Sequence, residues 1–317
     1  MTGIKIINQN YGNIEKSSSD KMSRKKNILI TGDKGFVGSN LVVRLKDVYK
    51  ITVLDEIDQL QDNKKKYNII YDQFITKYKT QKKIDGIIHL AAKTSIIDSI
   101  AKPYETYLTN IIGTLNLLEF ARISKIKKFI FLSTYIFGKP EYIPVDENHR
   151  LEPHSPYNKS KLIAENLCKI FSQDYKINVV VLRPFYLYGK NNRPSSLIPQ
   201  IINKIGKSEK VVLSRKFTKR DFLYIDDFIE LIFKILKKFP KGYNDYNVGY
   251  GVGTKIEDVA KKISVLMNKK VEIKYQKNTR PVDIIDMAAD TTKVSTQFGW
   301  KPNIGIDEGL KLILENG

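Results

Sequence analysis

A glycine-rich turn between a short apolar run and a helix-forming run most constrains what this chain can fold into. The run Asn27–Thr31 (NILIT) is rich in β-branched residues, which predicts a strand buried on both faces. Gly32, Gly35 and Gly38 follow with the spacing G-x-x-G-x-x-G, and a helix is predicted from Phe36 to about Val48. Glycines at this spacing allow a tight turn, a close approach of the backbone to a pyrophosphate, and close packing of helix on strand. The segment therefore predicts a dinucleotide-binding unit.

The start of this helix and the end of the next strand are both expected to contact the dinucleotide. Phe36 and Val37 open the helix, so free N–H groups and the positive end of the helix dipole face the phosphates. Residues 50–54 (KITVL) predict a second strand, and Asp55 ends it, where a carboxylate can bind a ribose 2′-hydroxyl. This carboxylate would repel a 2′-phosphate, which favours NAD over NADP. The alternative is a solvated aspartate at a strand end.

Strand and helix patterns alternate along the first part of the chain, and each predicted strand is apolar. Further strands are predicted at 67–71, 84–90, 128–133 and 178–182, and further helices at 101–122 and 157–171. This alternation predicts an α/β fold, a Rossmann-type doubly wound parallel sheet. After Arg183 the alternation weakens, which predicts a smaller C-terminal α/β lobe. We therefore expect a mobile basic arm over 1–26, a Rossmann domain over 27–182 with a returning segment around 221–248, and mainly the lobe over 183–317.

The net charge of +20 comes from 54 basic and 34 acidic residues. The lysines are spread along the chain, whereas nucleic-acid binders cluster charge on one face, so no nucleic-acid partner is expected. The single Cys168 excludes an intrachain disulfide and a cysteine-based zinc site, and no metal-ligand spacing is found. No apolar run approaches the roughly 20 residues of a membrane helix, and the N-terminus lacks the apolar stretch of a signal peptide. We expect a cytoplasmic protein without a membrane partner.

Five sequence blocks in a fixed order carry a resemblance to a known family. They are TGDKGFVG, His89–Ala92 (HLAA), Tyr157–Lys161 (YNKSK), Arg183–Phe185 (RPF) and Arg220–Phe222 (RDF). Together they resemble the extended short-chain dehydrogenase/reductases, and more narrowly they are similar to the nucleotide-sugar epimerases and dehydratases. The resemblance implies that Leu90, Ala91 and Ala92 lie against NAD, with Asn110 near the same site. His89 is expected to be a hydrogen-bonded buried histidine and not a catalytic residue.

Tyr157 and Lys161 are the predicted catalytic pair. They are four residues apart, so they share one helix face, and three other Tyr/Lys pairs with this spacing do not open a long helix at the family's position. The neighbouring ammonium is expected to lower the pKa of the tyrosine, so that it can take a proton from a sugar hydroxyl while a hydride leaves for nicotinamide. A third hydroxyl is expected at the end of the preceding strand, where Ser133 and Thr134 both stay open.

The sequence does not decide between several related reactions. The family's 4,6-dehydratases carry an Asp-Glu pair just after that hydroxyl, and this chain has Tyr135 and Ile136 there. A 4-epimerase needs only the Ser/Thr, Tyr and Lys set, so an epimerase acting through a 4-keto intermediate is favoured. A dehydratase with Tyr135, Lys93 or Lys139 as a substitute acid or base, a 4-ketosugar reductase, and a non-catalytic NAD-sensing or scaffold protein are the alternatives.

The resemblance also implies a substrate and a partner. A nucleotide-diphosphate sugar, most simply a UDP-sugar, is expected in the C-terminal lobe. The residues expected to bind it are Lys93, Thr94, Tyr186, Arg220, Arg280 and Asp283. Guanidinium groups bind phosphate bidentately, which suits a diphosphate anchor. Tyr186 departs from the asparagine that usually follows Arg-Pro-Phe. The helices at 101–122 and 157–171 correspond to the pair that the family packs into a homodimer.

Overall fold

The computed structural model describes residues 24–54, 83–276 and 284–315. Eleven strands lie within these ranges: β1 Asn27–Thr31, β2 Lys50–Leu54, β3 Gly86–His89, β4 Lys128–Leu132, β5 Asn178–Pro184, β6 Tyr186–Tyr188, β7 Val211–Leu213, β8 Lys219–Tyr224, β9 Tyr243–Val248, β10 Gly253–Lys255 and β11 Ile273–Tyr275. The helices are α1 Phe36–Leu45, α2 Ile96–Ala101, α3 Pro103–Tyr107, α4 Gly113–Ile123, α5 Pro156–Tyr175, α6 Leu197–Gly206, α7 Ile225–Lys237, α8 Ile256–Leu266, α9 Thr292–Phe298 and α10 Ile306–Glu315.

A parallel sheet forms the centre of the described fold, in the order β2-β1-β3-β4-β5-β9. The central residues of its inner strands are apolar because helices cover both faces, and β1 is buried at every position. From β1 the sheet is extended on one side by β2 and on the other side by β3, so the switch point of the topology lies between β1 and β3. Ligands of such sheets bind outside the carboxyl ends of the strands at this point. The predicted Rossmann-type α/β fold is confirmed.

Two apolar layers hold the sheet between its helices. On one face, Leu41 of α1 and Phe228 of α7 belong to a core shared with the C-terminal elements. On the other face, Leu117 of α4 packs in one cluster with Ala164 and Cys168 of α5. Cys168 is fully buried, and burial raises the pKa of its thiol. The glycine turn and the N-terminus of α5 therefore rest on rigid packed elements.

The predicted helix over 101–122 is interrupted in the structure. Ile96–Ala101 and Pro103–Tyr107 are separate short helices, because Pro103 has no N–H to continue the first one. A π-helical turn over Leu108–Ile112 then leads into α4. Helix α1 also ends earlier than predicted, at Leu45, and α5 extends to Tyr175.

The C-terminal part adds a smaller α/β lobe next to the carboxyl edge of the sheet. It contains a three-stranded sheet in the order β10-β8-β6 and the parallel pair β11-β7. Strand β9 returns from this part to the edge of the large sheet beside β5. The domain boundaries themselves stay a prediction. Residues 1–23 of the predicted arm and the predicted strand at 67–71 lie outside the described residues. Among the described helices, none has both the length and the apolar character needed to cross a membrane.

Candidate active site

A cavity of about 990 Å³ opens between the carboxyl edge of the sheet and the lobe. Its walls come from the glycine turn, the loops after β3 and β4, the start of α5 and the segment that follows β6. Several of the predicted site segments therefore meet in this cavity, although they are far apart in the sequence.

The glycine turn is shaped so that only glycine fits at two of its positions. Gly32 has a φ of +74°, and a Cβ there would lie 2.7 Å from the backbone nitrogen of Ala91. A Cβ on Gly38 would collide with the carbonyl oxygen of Gly32. At the start of α1, Gly35 is the N-cap and gives no side-chain hydrogen bond, which leaves the N–H groups of the first turn for a ligand. Gly32, Gly35, Phe36, Val37 and Gly38 all line the cavity. This cradle fits the pyrophosphate of a dinucleotide.

His89 ends β3 and is fully buried below the cavity floor. Its Nδ1 lies 2.7 Å from Oγ1 of Thr31, and its Nε2 lies 3.0 Å from Oγ1 of Thr114. The Thr114 hydroxyl donates to the carbonyl of Asn110 at 2.6 Å, so His89 Nε2 is the donor and Nδ1 the acceptor. Burial, assisted by the charge of Lys161, lowers the pKa of His89 to about 3. The hydrogen bonds of the neutral ring fix the end of β3, and Leu90, Ala91 and Ala92, which follow it in the chain, line the cavity.

Asn110 lies in the π-helical turn, and its side chain fixes a neighbouring loop. Its Oδ1 accepts from the N–H of Lys93 at 2.8 Å, and its Nδ2 donates to the Lys93 carbonyl at 3.0 Å and to Ser160 Oγ at 2.9 Å. The amide is thus committed to positioning the loop after β3 against α5. Direct contact of Asn110 with the cofactor stays a prediction.

Tyr157 and Lys161 lie in the first turns of α5, which begins at Pro156 behind the cap residue Ser155. Tyr157 lines the cavity. Lys161 is buried with its Nζ 4.1 Å from the ring centre of Phe131, and burial lowers the pKa of its ammonium to about 8. The two side chains share one helix face, as the spacing predicts.

The expectation that Lys161 lowers the pKa of Tyr157 is wrong for the protein without a ligand. Burial raises the pKa of Tyr157, and this effect exceeds the lowering by a hydrogen bond from Thr134 and by the charge of Arg193. Lys161 is not among the groups that shift it. Arg193, which lies outside the YNKSK motif, therefore contributes to the electrostatic stabilisation of a Tyr157 phenolate.

The structure separates the two candidate hydroxyls after β4. Thr134 lines the cavity and its hydroxyl is hydrogen-bonded to that of Tyr157. Ser133 is buried outside the cavity lining, and its Oγ has no hydrogen-bond partner among the described residues. The geometry brings Thr134, and not Ser133, to the predicted reactive group.

The lobe contributes polar groups to the opposite wall. Arg220 lines the cavity, and its Nη1 donates to the carbonyls of Lys219 at 2.6 Å and Ile284 at 2.8 Å. The Tyr186 hydroxyl accepts from the N–H of Leu197 at 3.4 Å, and Tyr186 also lines the cavity.

The loop after β3 brings only one of its two predicted residues to the cavity. Thr94 lines it. Lys93 does not, because its ammonium pairs with Glu105 at 2.7 Å. The predicted residues Asp55, Arg280 and Asp283 lie outside the described residues.

Comparison with known proteins identifies this arrangement. The model of the NAD dependent epimerase/dehydratase family matches residues 28–249, well over half of the chain. The chain belongs to this family. A Methanocaldococcus jannaschii protein, provisionally named a UDP-glucose 4-epimerase, is 30% identical over 303 residues, covering 90% of this chain and 97% of its own. Human dTDP-D-glucose 4,6-dehydratase is 28% identical over 314 residues, covering 92% and 89%.

A solved structure shows the same likeness in three dimensions. The UDP-glucose 4-epimerase of Thermotoga maritima with UDP-glucose has a TM-score of 0.82 and 28% identity, covering 91% of this chain and 97% of its own. This chain is therefore an NAD-dependent nucleotide-sugar epimerase or dehydratase, and NAD is its cofactor. The predicted family and cofactor are confirmed.

Sequence reasoning did not single out Arg193, a charged residue in the site of this epimerase/dehydratase. Arg193 lines the cavity, and its Nη1 donates to Thr94 Oγ1 at 2.9 Å across a sequence separation of 99 residues. The only sequence signal was a single arginine in the polar segment that follows β6.

Arg183 of the RPF block has a structural role in the described fold. Its guanidinium is 3% exposed and pairs with Glu165 of α5 at 2.6 Å and with Asp245 of β9 at 2.8 Å. These carboxylates hold the pKa of Arg183 above its usual range. The block thus ties α5 and two sheet strands together beneath the site.

Proposed function

We propose that this chain is a nucleotide-sugar 4-epimerase that acts on a UDP-hexose or UDP-N-acetylhexosamine through a transient 4-keto intermediate. One observation carries the proposal. Tyr157 and Thr134 are hydrogen-bonded in the cavity, and no described lining residue is an aspartate or glutamate. Such a site can move a proton at a sugar hydroxyl, but its described lining has none of the paired carboxylates that elimination of water uses in this family.

The substitute acids and bases for a dehydratase are poorly placed. The Tyr135 hydroxyl donates to the carbonyl of Gly138 at 2.8 Å, and burial raises the pKa of Tyr135 beyond the range of useful proton transfer. Lys93 is paired with Glu105. Lys139 is exposed and lies outside the cavity lining. Epimerisation can use groups that already line the cavity. A dehydratase would need Lys93 or Lys139 to move into the cavity, or Tyr135 to give up its hydrogen bond.

Tyr157 is the proposed base for the 4-hydroxyl. Thr134 donates a hydrogen bond to its oxygen, and Arg193 places positive charge near the developing phenolate. NAD held at the glycine turn would supply the acceptor for the C4 hydride and the donor that returns it. Between these two events the keto sugar would rotate in the cavity, and Tyr157 would return the proton to the oxygen on the opposite face.

The remaining sequence-predicted residues have proposed binding roles. Arg220 and Arg280 would anchor the nucleotide diphosphate, with Asp283 beside them. Asp55 would bind the ribose of the cofactor. Thr94 and Tyr186, which line the cavity, would face the sugar.

A homodimer is proposed as the working assembly. Tyr104 of α3 is 74% exposed, and Ile163 and Ile170 of α5 are 42% and 47% exposed. Ile163 and Ile170 are seven residues apart and so lie on one helix face. These side chains belong to the helices that the family pairs between subunits.

The proposal is tested by incubating the purified enzyme with UDP-glucose, UDP-N-acetylglucosamine and UDP-glucuronate, each in turn, and recording proton NMR spectra. We expect the axial C4 epimer of at least one substrate. Tyr157→Phe should abolish turnover while NAD stays bound, because it removes the proton acceptor and keeps the ring. A 4-keto-6-deoxy product would instead identify a dehydratase, and full activity of the variant would exclude Tyr157 as the base.

A further inference from the structure

Many lysines that are far apart in the sequence come together at one edge of the fold. The strands of the large sheet are parallel, so their first residues share the edge opposite to the cavity. There the N–H of Lys50 donates to the carbonyl of Lys26 at 2.9 Å, and the N–H of Asn178 donates to that of Lys127 at 2.9 Å. Helices α1, α4, α5 and α7 end at the same edge and add further lysines. We call this surface the amino edge, and its lysines are Lys25, Lys26, Lys46, Lys50, Lys83, Lys125, Lys127, Lys128, Lys176, Lys237, Lys238 and Lys241.

Carboxylates do not balance the charge of the amino edge. Asp85, one of few acidic residues there, accepts two hydrogen bonds of 2.8 Å from Arg24. Lys25 and Lys127 donate to backbone carbonyls, at 2.8 Å and 3.0 Å. Within the described residues, no lysine of the amino edge has a carboxylate oxygen within 4.0 Å of its ammonium group. The positive charge of this surface is therefore available to an external anion.

Some of these ammonium groups repel each other. Lys128 has its Nζ 5.5 Å from the ring centre of Phe239, and burial lowers the pKa of this ammonium, with the charge of Lys26 lowering it further. The C-terminus of a helix carries only about half a negative charge, so the four helix ends offset a small part of the lysine charge. An anionic surface placed against the amino edge would relieve this repulsion.

The kind of cation at the amino edge suits a lipid surface better than a nucleic acid. Guanidinium forks are preferred for recognising nucleic acids, and the two arginines at this edge are already paired. Arg24 is bound by Asp85, and Arg122 donates to Glu119 at 2.6 Å. The remaining cations are lysines, which act as point charges and can be satisfied by an array of anionic headgroups without a fixed geometry.

Exposed apolar side chains lie among these lysines. Val48 follows α1, Ile123 ends α4 and Tyr175 ends α5, with exposed fractions of 51%, 52% and 42%. Such side chains can enter the boundary between headgroups and acyl chains, whereas a phosphate backbone offers them no apolar partner. With six strands about 4.8 Å apart, the edge is about 24 Å wide, which is broad enough to contact many headgroups at once.

We propose that the amino edge binds the surface of an anionic lipid bilayer and leaves the cavity on the opposite side open to substrate. The proposal does not depend on which reaction the site catalyses. The sequence-based expectation of no membrane partner rests on the lack of a spanning run and of a signal-peptide stretch, and binding at a bilayer surface needs neither. Each lysine near an anionic leaflet strengthens binding by about fivefold, so several lysines together give a salt-sensitive attachment.

The test is sedimentation of the purified protein with vesicles of phosphatidylcholine alone and with vesicles of equal parts phosphatidylcholine and phosphatidylserine. The wild type should bind only the anionic vesicles. Its affinity should fall at least 10-fold between about 0.1 M and about 1 M salt, because the Debye length shrinks from about 10 Å to about 3 Å. The triple variant Lys26→Gln/Lys50→Gln/Lys127→Gln should bind the anionic vesicles about 100-fold more weakly than the wild type.

A matched control removes the same charge from the lobe. Lys207→Gln/Lys270→Gln/Lys301→Gln changes three exposed lysines and should keep the wild-type affinity for the vesicles. Both triple variants should bind NAD as the wild type does, because neither set lines the cavity, and this measurement shows that they are folded.

Equal binding of the two kinds of vesicle, binding of neither, or an unchanged affinity in the amino-edge variant would overturn the proposal. An equal loss of affinity in the lobe variant would show that net charge alone acts, and would overturn it as well. The same variants are also titrated with a duplex RNA. If the wild type binds the RNA through the amino-edge lysines and leaves anionic vesicles unbound, the partner is a nucleic acid and the proposal is wrong.

Discussion

At the scale of single residues, the site depends on how burial and neighbouring charges set the protonation of a few groups. Tyr157 is driven towards its neutral form by burial, and Thr134 and Arg193 oppose this effect. His89 is held neutral by the same burial that raises the pKa of the tyrosine, because desolvation disfavours whichever form is charged. Catalysis in this account needs Tyr157 to ionise, so each hydrogen bond to its oxygen matters.

Thr134→Ala should lower kcat by about 100-fold, since it removes a hydrogen bond to the ionising oxygen. Ser133→Ala is the matched control, because it removes a buried hydroxyl that has no partner among the described residues. Its kcat should stay close to that of the wild type. Steady-state kinetics with the substrate identified by NMR checks both variants. A large loss in Ser133→Ala with a small loss in Thr134→Ala would reverse the assignment.

His89 should make the stability of the chain depend on acidity. The folded chain protonates His89 only near pH 3, whereas an unfolded histidine does so near pH 6.5. Between these values the unfolded state binds more protons, so the free energy of unfolding falls as the pH is lowered, by at most about 1.4 kcal/mol per pH unit. Urea unfolding at several pH values should show a shallower dependence for His89→Asn. Parallel curves for the two proteins would contradict the buried neutral histidine.

At the scale of elements, the glycine turn couples β1 to α1 and leaves the helix N-terminus open to the cofactor. Its geometry is local, which is why the spacing of three glycines in the sequence was sufficient to predict it. The same holds for Tyr157 and Lys161, because side chains four residues apart on a helix lie on the same face. The choice between Ser133 and Thr134 is different, because it depends on how the chain leaves β4 and not on any local pattern.

Gly38→Ala should weaken NAD binding at least 10-fold and lower the melting temperature. The added Cβ would meet the backbone of Gly32 and Asp33, which cannot move without opening the turn. Gly206→Ala is a matched control, since its Cβ would lie 3.6 Å from Cε of Met267 at ordinary contact distance. Fluorescence titration with NAD and thermal unfolding measure the two effects. Unchanged NAD affinity in Gly38→Ala would argue against the cradle.

At the scale of the whole molecule, the sequence predicted the secondary-structure elements better than the contacts between residues that are distant in the sequence. The alternation of apolar strands and helices was enough for the parallel sheet, because each pattern is contained in a short segment. Arg193 and Thr94 come from segments 99 residues apart, so their contact could not be inferred from spacing. The π-helical turn at Leu108–Ile112 was missed for a similar reason, since its Asn110 bonds to Lys93 and Ser160 across the fold.

The proposed homodimer is testable at the same scale. Light scattering should give twice the chain mass of 36.5 kDa at micromolar concentration. The double variant Ile163→Asp/Ile170→Asp should shift the protein to a monomer, because it places charges on the exposed apolar face of α5. Val265→Asp, which changes a 78% exposed side chain on α8, is the control and should leave the mass unchanged. A monomeric wild type would contradict the assembly.

In the proposed mechanism a hydride leaves C4 and returns to it, and Tyr157 moves only the hydroxyl proton. Proton NMR of the reaction run in D₂O with the preferred nucleotide sugar tests this mechanism most directly. We expect a C4 epimer that keeps hydrogen at C4 and carries no deuterium at C5, because no carbon-bound proton reaches the solvent. Deuterium at C5, or a 4-keto-6-deoxy product, would show that the C5 proton is removed as in a dehydratase and would contradict the proposed mechanism.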